Sequence, residues 1–307
     1  MTLQILLTGR NGQVGRELSQ LLPSLGEVVA LDRSQLDLGR PDEIRRLIRA
    51  LRPRVIVNAA AYTAVDGAES DTAAARAVNA DAPGVMAEEA KRIGATLVHY
   101  STDYIFDGSK SAPYDENDSP NPLGVYGRTK LDGETAIREI GISHLIFRTA
   151  WVYAREGRNF LLTILRLATQ QVELRIVRDQ FGAPTWSREI ALATTRILAQ
   201  TCTEGSSLPP ELSGTYHITA AGHTTWCDFA QGILEEASLH PPAAPWFSQA
   251  TGQRPLLASR VIPITTAEYP TPARRPAYSV LSCARLAAAF GVRLPDWRTQ
   301  LHEVFSG

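Results

Sequence analysis

The residues best suited to chemistry in this 307-residue chain lie in one short run, Tyr126-Gly127-Arg128-Thr129-Lys130. On a helix, a spacing of four puts the phenol and the ammonium on one face. A cation beside a phenol stabilises the phenolate and draws its pKa down from about 10. A phenol tuned in this way can hand a proton to a carbonyl oxygen while a hydride arrives at the carbon. Composition sharpens the choice of lysine. Of the 31 Lys+Arg residues, only Lys91, Lys110 and Lys130 are lysine. A chain that meets nearly every need for positive charge with arginine keeps a compact ammonium here, and the two cations bind and titrate differently. A second polar group, Thr102 and Asp103, stands between Ser101 and Tyr104 at the end of the fourth strand-like run.

Thr8-Gly9-Arg10-Asn11-Gly12-Gln13-Val14-Gly15 follows the first apolar run and opens the first helical one. Gly9, Gly12 and Gly15 permit a tight turn, a close backbone approach to a pyrophosphate, and close packing of helix on strand. The helix N-terminus beyond them offers free N–H groups and the positive end of a dipole. This is a dinucleotide site in outline. Asp32 closes the second strand, where a carboxylate accepts from adenosine ribose hydroxyls and favours NADH. Arg33 follows at once and suits the 2′-phosphate of NADPH. NADH and NADPH both stay open on this reading. Asp37 and Leu38 either flank the adenine or lie in an exposed loop.

Elements that could carry these groups alternate along the first half. Strands are predicted at 3–8, 27–31, 54–58, 96–101 and 144–149, and helices at 13–22, 41–51, 72–93 and 124–139. Near-continuous apolar runs such as Val55-Ile56-Val57 suit parallel strands covered on both faces. The alternation predicts an α/β fold, a Rossmann-like doubly wound parallel sheet. Residues 1–150 then form the NAD(P)-binding domain. Residues 151–307 form mainly a smaller, irregular substrate lobe, from which some segments can return to the first domain. Eleven of the 19 prolines fall at or beyond Pro209, and 201–213 and 240–255 read as loops. Helical pieces remain at 159–169, 187–200 and 225–237.

At 44% hydrophobic and 21% charged, with a formal net charge of −1, the chain lacks the basic footprint of a nucleic-acid binder. Cys202, Cys227 and Cys283 are an odd number without a CxxC pair, which argues against disulfides and zinc and for a reducing cytoplasm. No apolar run approaches the roughly 18 residues of a membrane span. Residues 3–7 lack a basic leader and do not read as a signal peptide.

The order of glycine turn, hydroxyl at the end of the fourth strand and Tyr-x-x-x-Lys resembles the extended short-chain dehydrogenase/reductases. Within them the chain is most similar to the dTDP-4-dehydrorhamnose reductases. The likeness rests on GRNGQVG (9–15), VNAAAYTAVDGAE (57–69), HYSTDYIFDG (99–108), NPLGVYGRTKLDGE (121–134) and HLIFRTAWVY (144–153), with DQFGAPT (179–185) and YPTPARRP (269–276) extending it. The resemblance implies an NAD(P)H-dependent reduction of a dTDP-4-keto-6-deoxy-L-sugar at C4. Tyr126 would donate the proton, and Lys130 would lower its pKa and bind the nicotinamide ribose. Thr102 would tune the tyrosine and contact the sugar, with Asp103 beside it and Trp151 on the substrate. The glycine turn from Gly9 to Gly15 with Asn11, Gln13 and Val14, then Asp32, Asp37, Leu38, Ala61, Tyr62 and Thr63, would line the dinucleotide. The DQFGAPT turn and Arg274 or Arg275 would close over the diphosphate.

Two departures accompany the resemblance. Tyr62 stands where a histidine is common in relatives. For a magnesium-bridged dimer, the chain offers Glu17, Glu189 and Glu303 rather than a clear ligand set. Magnesium assisting the substrate's diphosphate stays open, no metal ligand is assigned, and a monomer or weak homodimer is expected. The rival readings are an epimerase or dehydratase of the same superfamily, holding its NAD tightly, and a catalytically silent regulatory homologue.

Overall fold

Val55-Ile56-Val57 offers no polar side to water, and in the computed structural model it lies inside the central sheet. The structure describes residues 3–202, 207–241 and 243–306. β1 (Leu3–Thr8), α1 (Gln13–Leu21), β2 (Gly26–Leu31), α2 (Pro41–Leu51) and β3 (Val55–Asn58) open the fold. α3 (Val65–Ser70), α4 (Thr72–Arg76) and α5 (Ala82–Ile93) lead to β4 (Thr96–Thr102), and α6 (Val125–Ile140) to β5 (His144–Thr149). β1, β3, β4 and β5 are fully buried or nearly so, as strands covered on both faces must be. The sheet is six-stranded and parallel, and chain order reverses between β1 and β3. In such sheets ligands bind beyond the strands' carboxyl ends at that reversal.

The region predicted as one helix over 72–93 is interrupted. A π turn, Ala77–Asp81, separates α4 from α5. Such turns carry one extra residue and often re-aim a side chain toward a working site. Here the residue re-aimed is Asn79, which is fully buried.

Beyond residue 150 the chain makes β6 (Val152–Tyr153), α7 (Phe160–Ala168), β7 (Glu173–Val177), β8 (Phe181–Gly182), β9 (Thr185–Trp186) and α8 (Ser187–Thr201). β10 (Gly214–His217), β11 (Thr224–Thr225), α9 (Trp226–Leu239), α10 (Pro245–Thr251), β12 (Arg260–Ile264), α11 (Ala284–Phe290) and α12 (Trp297–Ser306) complete it. β10 is the sixth strand of the central sheet, beside β5. Ile190, Ile197 and Leu198 of α8 and Leu286 of α11 join the apolar layer on the α1 face of that sheet. α2 and α5 cover the opposite face. A separate core rich in aromatic rings, with Phe229, Trp246, Trp297 and Phe305, holds α7, α9, α10 and α12 together. The parallel pair β7–β12 runs alongside. Residues 240–255, expected as loop, contain α10. Trp246 anchors it in that core, and a burial of this kind overrides a proline-rich local sequence. Part of the loop expected at 201–213 lies outside the described residues.

Among the described residues, no helix is long and apolar enough to cross a membrane. The three cysteines are unpaired and buried or half-buried.

Candidate active site

Gly9 turns the chain from β1 into α1 with a φ of +76°, and a Cβ there would press on the Ala60 backbone at 2.6 Å. Only glycine meets both demands. Gly12 begins α1 without a side-chain cap, so the first N–H groups of the helix remain available to an anion. Gly15 lies beneath the turn, where a Cβ would strike the Gly9 carbonyl. These residues open onto a cavity of about 710 Å³ at the carboxyl ends of the sheet strands.

The cavity gathers almost every residue singled out in the sequence. Gly9, Asn11, Gly12, Gln13 and Val14 line one end, with Asp32, Asp37 and Leu38 beside them. Ala61, Tyr62 and Thr63 form a middle wall. Thr102, Asp103, Tyr126, Lys130 and Trp151 complete the lining, with the residue after Trp151 accepting from Gln13 Nε2 at 3.4 Å. Of the residues expected to bind the dinucleotide, Gly15 does not line the cavity, because it lies packed against the turn at Gly9. Asp32 accepts from Asn11 Nδ2 at 3.2 Å and from the Ser34 N–H and hydroxyl at 2.9 and 2.6 Å. Those bonds, led by the Ser34 hydroxyl, hold its carboxyl below the usual range. Arg33 lines the same end and is exposed. Gln13 Oε1 and Thr149 Oγ1, both on residues lining the cavity, are buried without a partner among the described residues. With the uncapped helix and the Asp32 carboxylate at the end of β2, such groups fit a dinucleotide.

Tyr126 and Lys130 occupy the first two turns of α6. That helix starts where Glu69 of α3 accepts the Val125 N–H at 2.8 Å. Gly127 lets the helix lie flush on the Tyr104 carbonyl, which any Cβ at 127 would overlap. Tyr104 packs edge-on to Tyr126, with ring centroids 6.0 Å apart. Burial pushes the Tyr126 phenol up to about 12; the Thr102 hydroxyl opposes this, and the Asp103 charge adds to it. The depression expected from Lys130 is absent. The reason is where the amine points: Lys130 Nζ donates to the Tyr100 carbonyl at 2.6 Å and lies 3.1 Å from His99 Nε2. Burial brings Lys130 itself down to about 8, against the pull of Glu134.

Asp103, 2% exposed, is pushed up to about 7 by burial, with the hydroxyls of Ser279 and Thr102 opposing. A carboxyl raised on folding stays protonated in the native state at pH values where the unfolded chain has already lost its proton. Stability therefore falls as pH rises from about 4 to about 7, by at most about 4 kcal/mol. Asp103→Asn removes this component, so the decline in urea-unfolding free energy between pH 4 and pH 8 is expected to flatten in the variant.

Trp151 holds a left-handed φ of +46° and stacks on Trp226 with ring centroids 3.5 Å apart. Its ring crosses Gly182, where a Cβ would come within 2.5 Å of the indole nitrogen. The DQFGAPT segment thus reaches the cavity through Trp151 rather than by lining it. Arg275, expected over the diphosphate, is instead held by Asp66 of α3 through bonds of 2.7 and 3.0 Å. Arg158 lines the cavity and adjoins a second one that also contains Arg16, Arg155 and Arg166.

A family model described as the RmlD substrate binding domain matches residues 3–307. The dTDP-4-dehydrorhamnose reductase of Burkholderia thailandensis is 52% identical over 296 residues, 96% of each chain. That of Escherichia coli K12 is 41% identical over 312 residues, 99% of each. The chain belongs to the dTDP-4-dehydrorhamnose reductase family. A crystal structure of the Bacillus anthracis dTDP-4-dehydrorhamnose reductase in complex with NADP superposes with a TM-score of 0.87 at 30% identity, covering 99% of both chains.

Three side chains of this member of the dTDP-4-dehydrorhamnose reductase family escaped the sequence reading. Asn79, presented by the π turn, accepts the Tyr62 N–H at 2.9 Å and donates to the Tyr62 carbonyl at 3.1 Å and the Thr129 hydroxyl at 3.2 Å. It ties the cavity's middle wall to the helix bearing Tyr126. Trp226 and Arg158 line the cavity, and neither has a spacing signal. Tyr62, the departure from histidine, reaches toward α3, its hydroxyl 3.0 Å from where a Gly67 Cβ would stand. Arg188 pairs with Glu17, and Glu303 adds to the burial that pushes Glu189 up. Among the described residues, the three-ligand group that gathers is Glu236, His240 and His302, none of which lines the cavity.

Proposed function

We propose that this protein reduces the C4 keto group of dTDP-4-dehydro-β-L-rhamnose to dTDP-β-L-rhamnose, the final step of dTDP-rhamnose biosynthesis. The observation carrying this reading is one cavity that joins the glycine turn of α1 to Thr102, Tyr126 and Trp151, in a chain 52% identical to such a reductase. The bound nicotinamide, as NADPH or NADH, supplies the hydride. Gly9, Asn11, Gly12, Gln13, Val14, Asp32, Asp37 and Leu38 hold the adenosine and pyrophosphate. Ala61, Tyr62, Thr63 and Lys130 hold the nicotinamide side. Tyr126 gives its proton to the C4 oxygen, and its high pKa keeps that proton in place until a developing alkoxide takes it. Thr102 orients the phenol, while Asp103 and Trp151 hold the sugar. Arg158 suits the diphosphate, since a guanidinium fork matches its oxygens.

Residues 1–150 carry the dinucleotide and 151–307 mainly the sugar nucleotide in this reading. The protein works in the cytoplasm as a monomer or weak homodimer, without nucleic acid or membrane. Three unpaired cysteines support the reducing compartment. Magnesium has no assigned ligands.

An exposed Arg33 beside Asp32 supports use of NADPH alongside NADH. Arg33→Ala is expected to raise KM for NADPH about tenfold or more, the loss of one charge-assisted contact, with little change for NADH. Equal changes for both would remove Arg33 from the 2′-phosphate. The function itself is tested by nicotinamide absorbance on adding dTDP-4-dehydro-L-rhamnose, with each cofactor in turn. One mole oxidised per mole of substrate is expected. Product without net oxidation would indicate an epimerase, and no turnover a silent homologue.

A further inference from the structure

Behind Lys130 lies a chain of buried side chains that the reduction does not use. Thr8, Asn58 and His99 are 2%, 1% and 1% exposed. Their hydrogen bonds leave one arrangement of protons. Thr8 Oγ1 donates to Asn58 Oδ1 at 2.7 Å, and the Ala60 N–H donates to the same oxygen at 3.3 Å. The Ala60 N–H has no acceptor form, so the amide oxygen must stay on that side. Asn58 Nδ2 therefore faces His99 Nδ1, at 3.1 Å. An amide nitrogen only donates, so His99 Nδ1 must be bare. Burial holds His99 well below the ordinary histidine range and keeps the ring neutral, and any charge on Lys130 would act the same way. A neutral imidazole with Nδ1 bare carries its proton on Nε2, and Nε2 is the atom 3.1 Å from Lys130 Nζ. Two N–H donors cannot share that line.

We infer that the Thr8–Asn58–His99 chain holds Lys130 as a neutral amine in the free protein, with His99 Nε2–H donating to the Nζ lone pair. His99 is then a positioning residue that sets the protonation and placement of Lys130. The neutral amine donates to the Tyr100 carbonyl at 2.6 Å, so each group in the chain has its partner. To serve as a cation, Lys130 must take up one proton and leave His99. The other charged and titratable groups around it act differently. Glu134, one turn further along α6, favours the ammonium, but its carboxylate is engaged by Arg148 of β5 and Arg138. Tyr126 on α6 and Asp103 after β4 complete the set. Among the described residues, none of these five side chains hydrogen-bonds Nζ. Burial acts in the same direction, bringing Lys130 down to about 8, a value at which the ammonium still prevails at pH 7, so the His99 donor must carry it lower.

The inference rests on the reductase reading only in giving Lys130 a role beside Tyr126. Its test uses the free protein without substrate, so the two can fail separately. In protein labelled with ¹⁵N-histidine, the His99 resonances, assigned by their loss in His99→Gln, should report protonated Nε2 and bare Nδ1 from pH 5.5 to 8.5. A proton on Nδ1, or a doubly protonated ring within that range, would overturn the inference. In His99→Gln the side-chain carbonyl can accept from the ammonium. The Lys130 ¹³Cε titration midpoint should then rise by about one pH unit or more, whereas His99→Leu, with neither donor nor acceptor, should leave it low. An unchanged midpoint in His99→Gln would also overturn it. If neither variant folds, the tautomer of the wild-type ring decides, with His99 assigned through its β4 backbone resonances.

Discussion

Tyr126→Phe should lower kcat by about 10²–10⁴-fold, the range lost when a positioned general acid is removed. The phenylalanine keeps the ring that packs edge-on to Tyr104, so α6 and the cavity wall are preserved. What disappears is the hydroxyl next to Thr102, the proton source for the C4 oxygen. Affinities for cofactor and nucleotide sugar, measured by calorimetry, should change by less than about threefold, because binding comes from groups elsewhere in the cavity. A kcat within a few-fold of wild type would show that water or Asp103 supplies the proton and would end the assignment of Tyr126. A matching loss of affinity would point instead to a collapsed cavity.

Glu134→Ala should produce the largest loss of stability. Glu134 is fully buried and accepts from Arg148 at 3.0 and 2.7 Å and from Arg138 at 2.9 Å. Burial alone would push its carboxyl up, but the Arg148 bonds and charge outweigh it and hold the pKa low. Alanine leaves the Arg148 guanidinium, itself 3% exposed, without its counter-ion. Breaking such a pair costs about 3–5 kcal/mol and should lower Tm by roughly 10 °C. Because the folded pKa is depressed, the wild-type contribution exists at neutral pH and fades as pH falls through the acid range. Replacing both partners, as Glu134→Leu with Arg148→Met, should recover much of the loss. A Tm within about 2 °C of wild type in Glu134→Ala would mean that water satisfies Arg148.

The first half of the fold was legible because its signals are local. β1 and β5 have the bounds that their apolar runs predict, and α2 begins at Pro41 as its pattern suggests. Tyr126 and Lys130 fall on one helix, as their spacing requires. The unread parts depend on partners distant in sequence. Gly214-Thr215-Tyr216-His217 is only four residues long and becomes a strand by pairing with β5. The π turn arises where Asn79 reaches Tyr62 and Thr129, 17 and 50 residues away. The direction of the Lys130 amine depends on His99, whose own proton depends on Asn58 and Thr8, and no spacing rule conveys that. The scarcity of lysine singled out Lys130, whereas Lys91 and Lys110, which read as solvated helix and loop positions, have partners of their own. Lys91 donates to the Ile140 carbonyl at the end of α6 at 2.8 Å, and Lys110 pairs with Asp118. Lys91 puts a compact ammonium on one carbonyl oxygen, and Lys110 reaches both Asp118 and the Pro113 carbonyl, contacts that need no planar fork.

The most direct test of the account follows the hydride. With nicotinamide cofactor deuterated at C4, prepared as each of its two stereoisomers and used in turn with dTDP-4-dehydro-L-rhamnose, one isomer should deliver deuterium to sugar C4. Product NMR should then show loss of the H4 signal in one-to-one proportion to cofactor oxidised. Deuterium retained on the cofactor in both experiments, or found at another sugar carbon, would contradict reduction at C4 beside Tyr126.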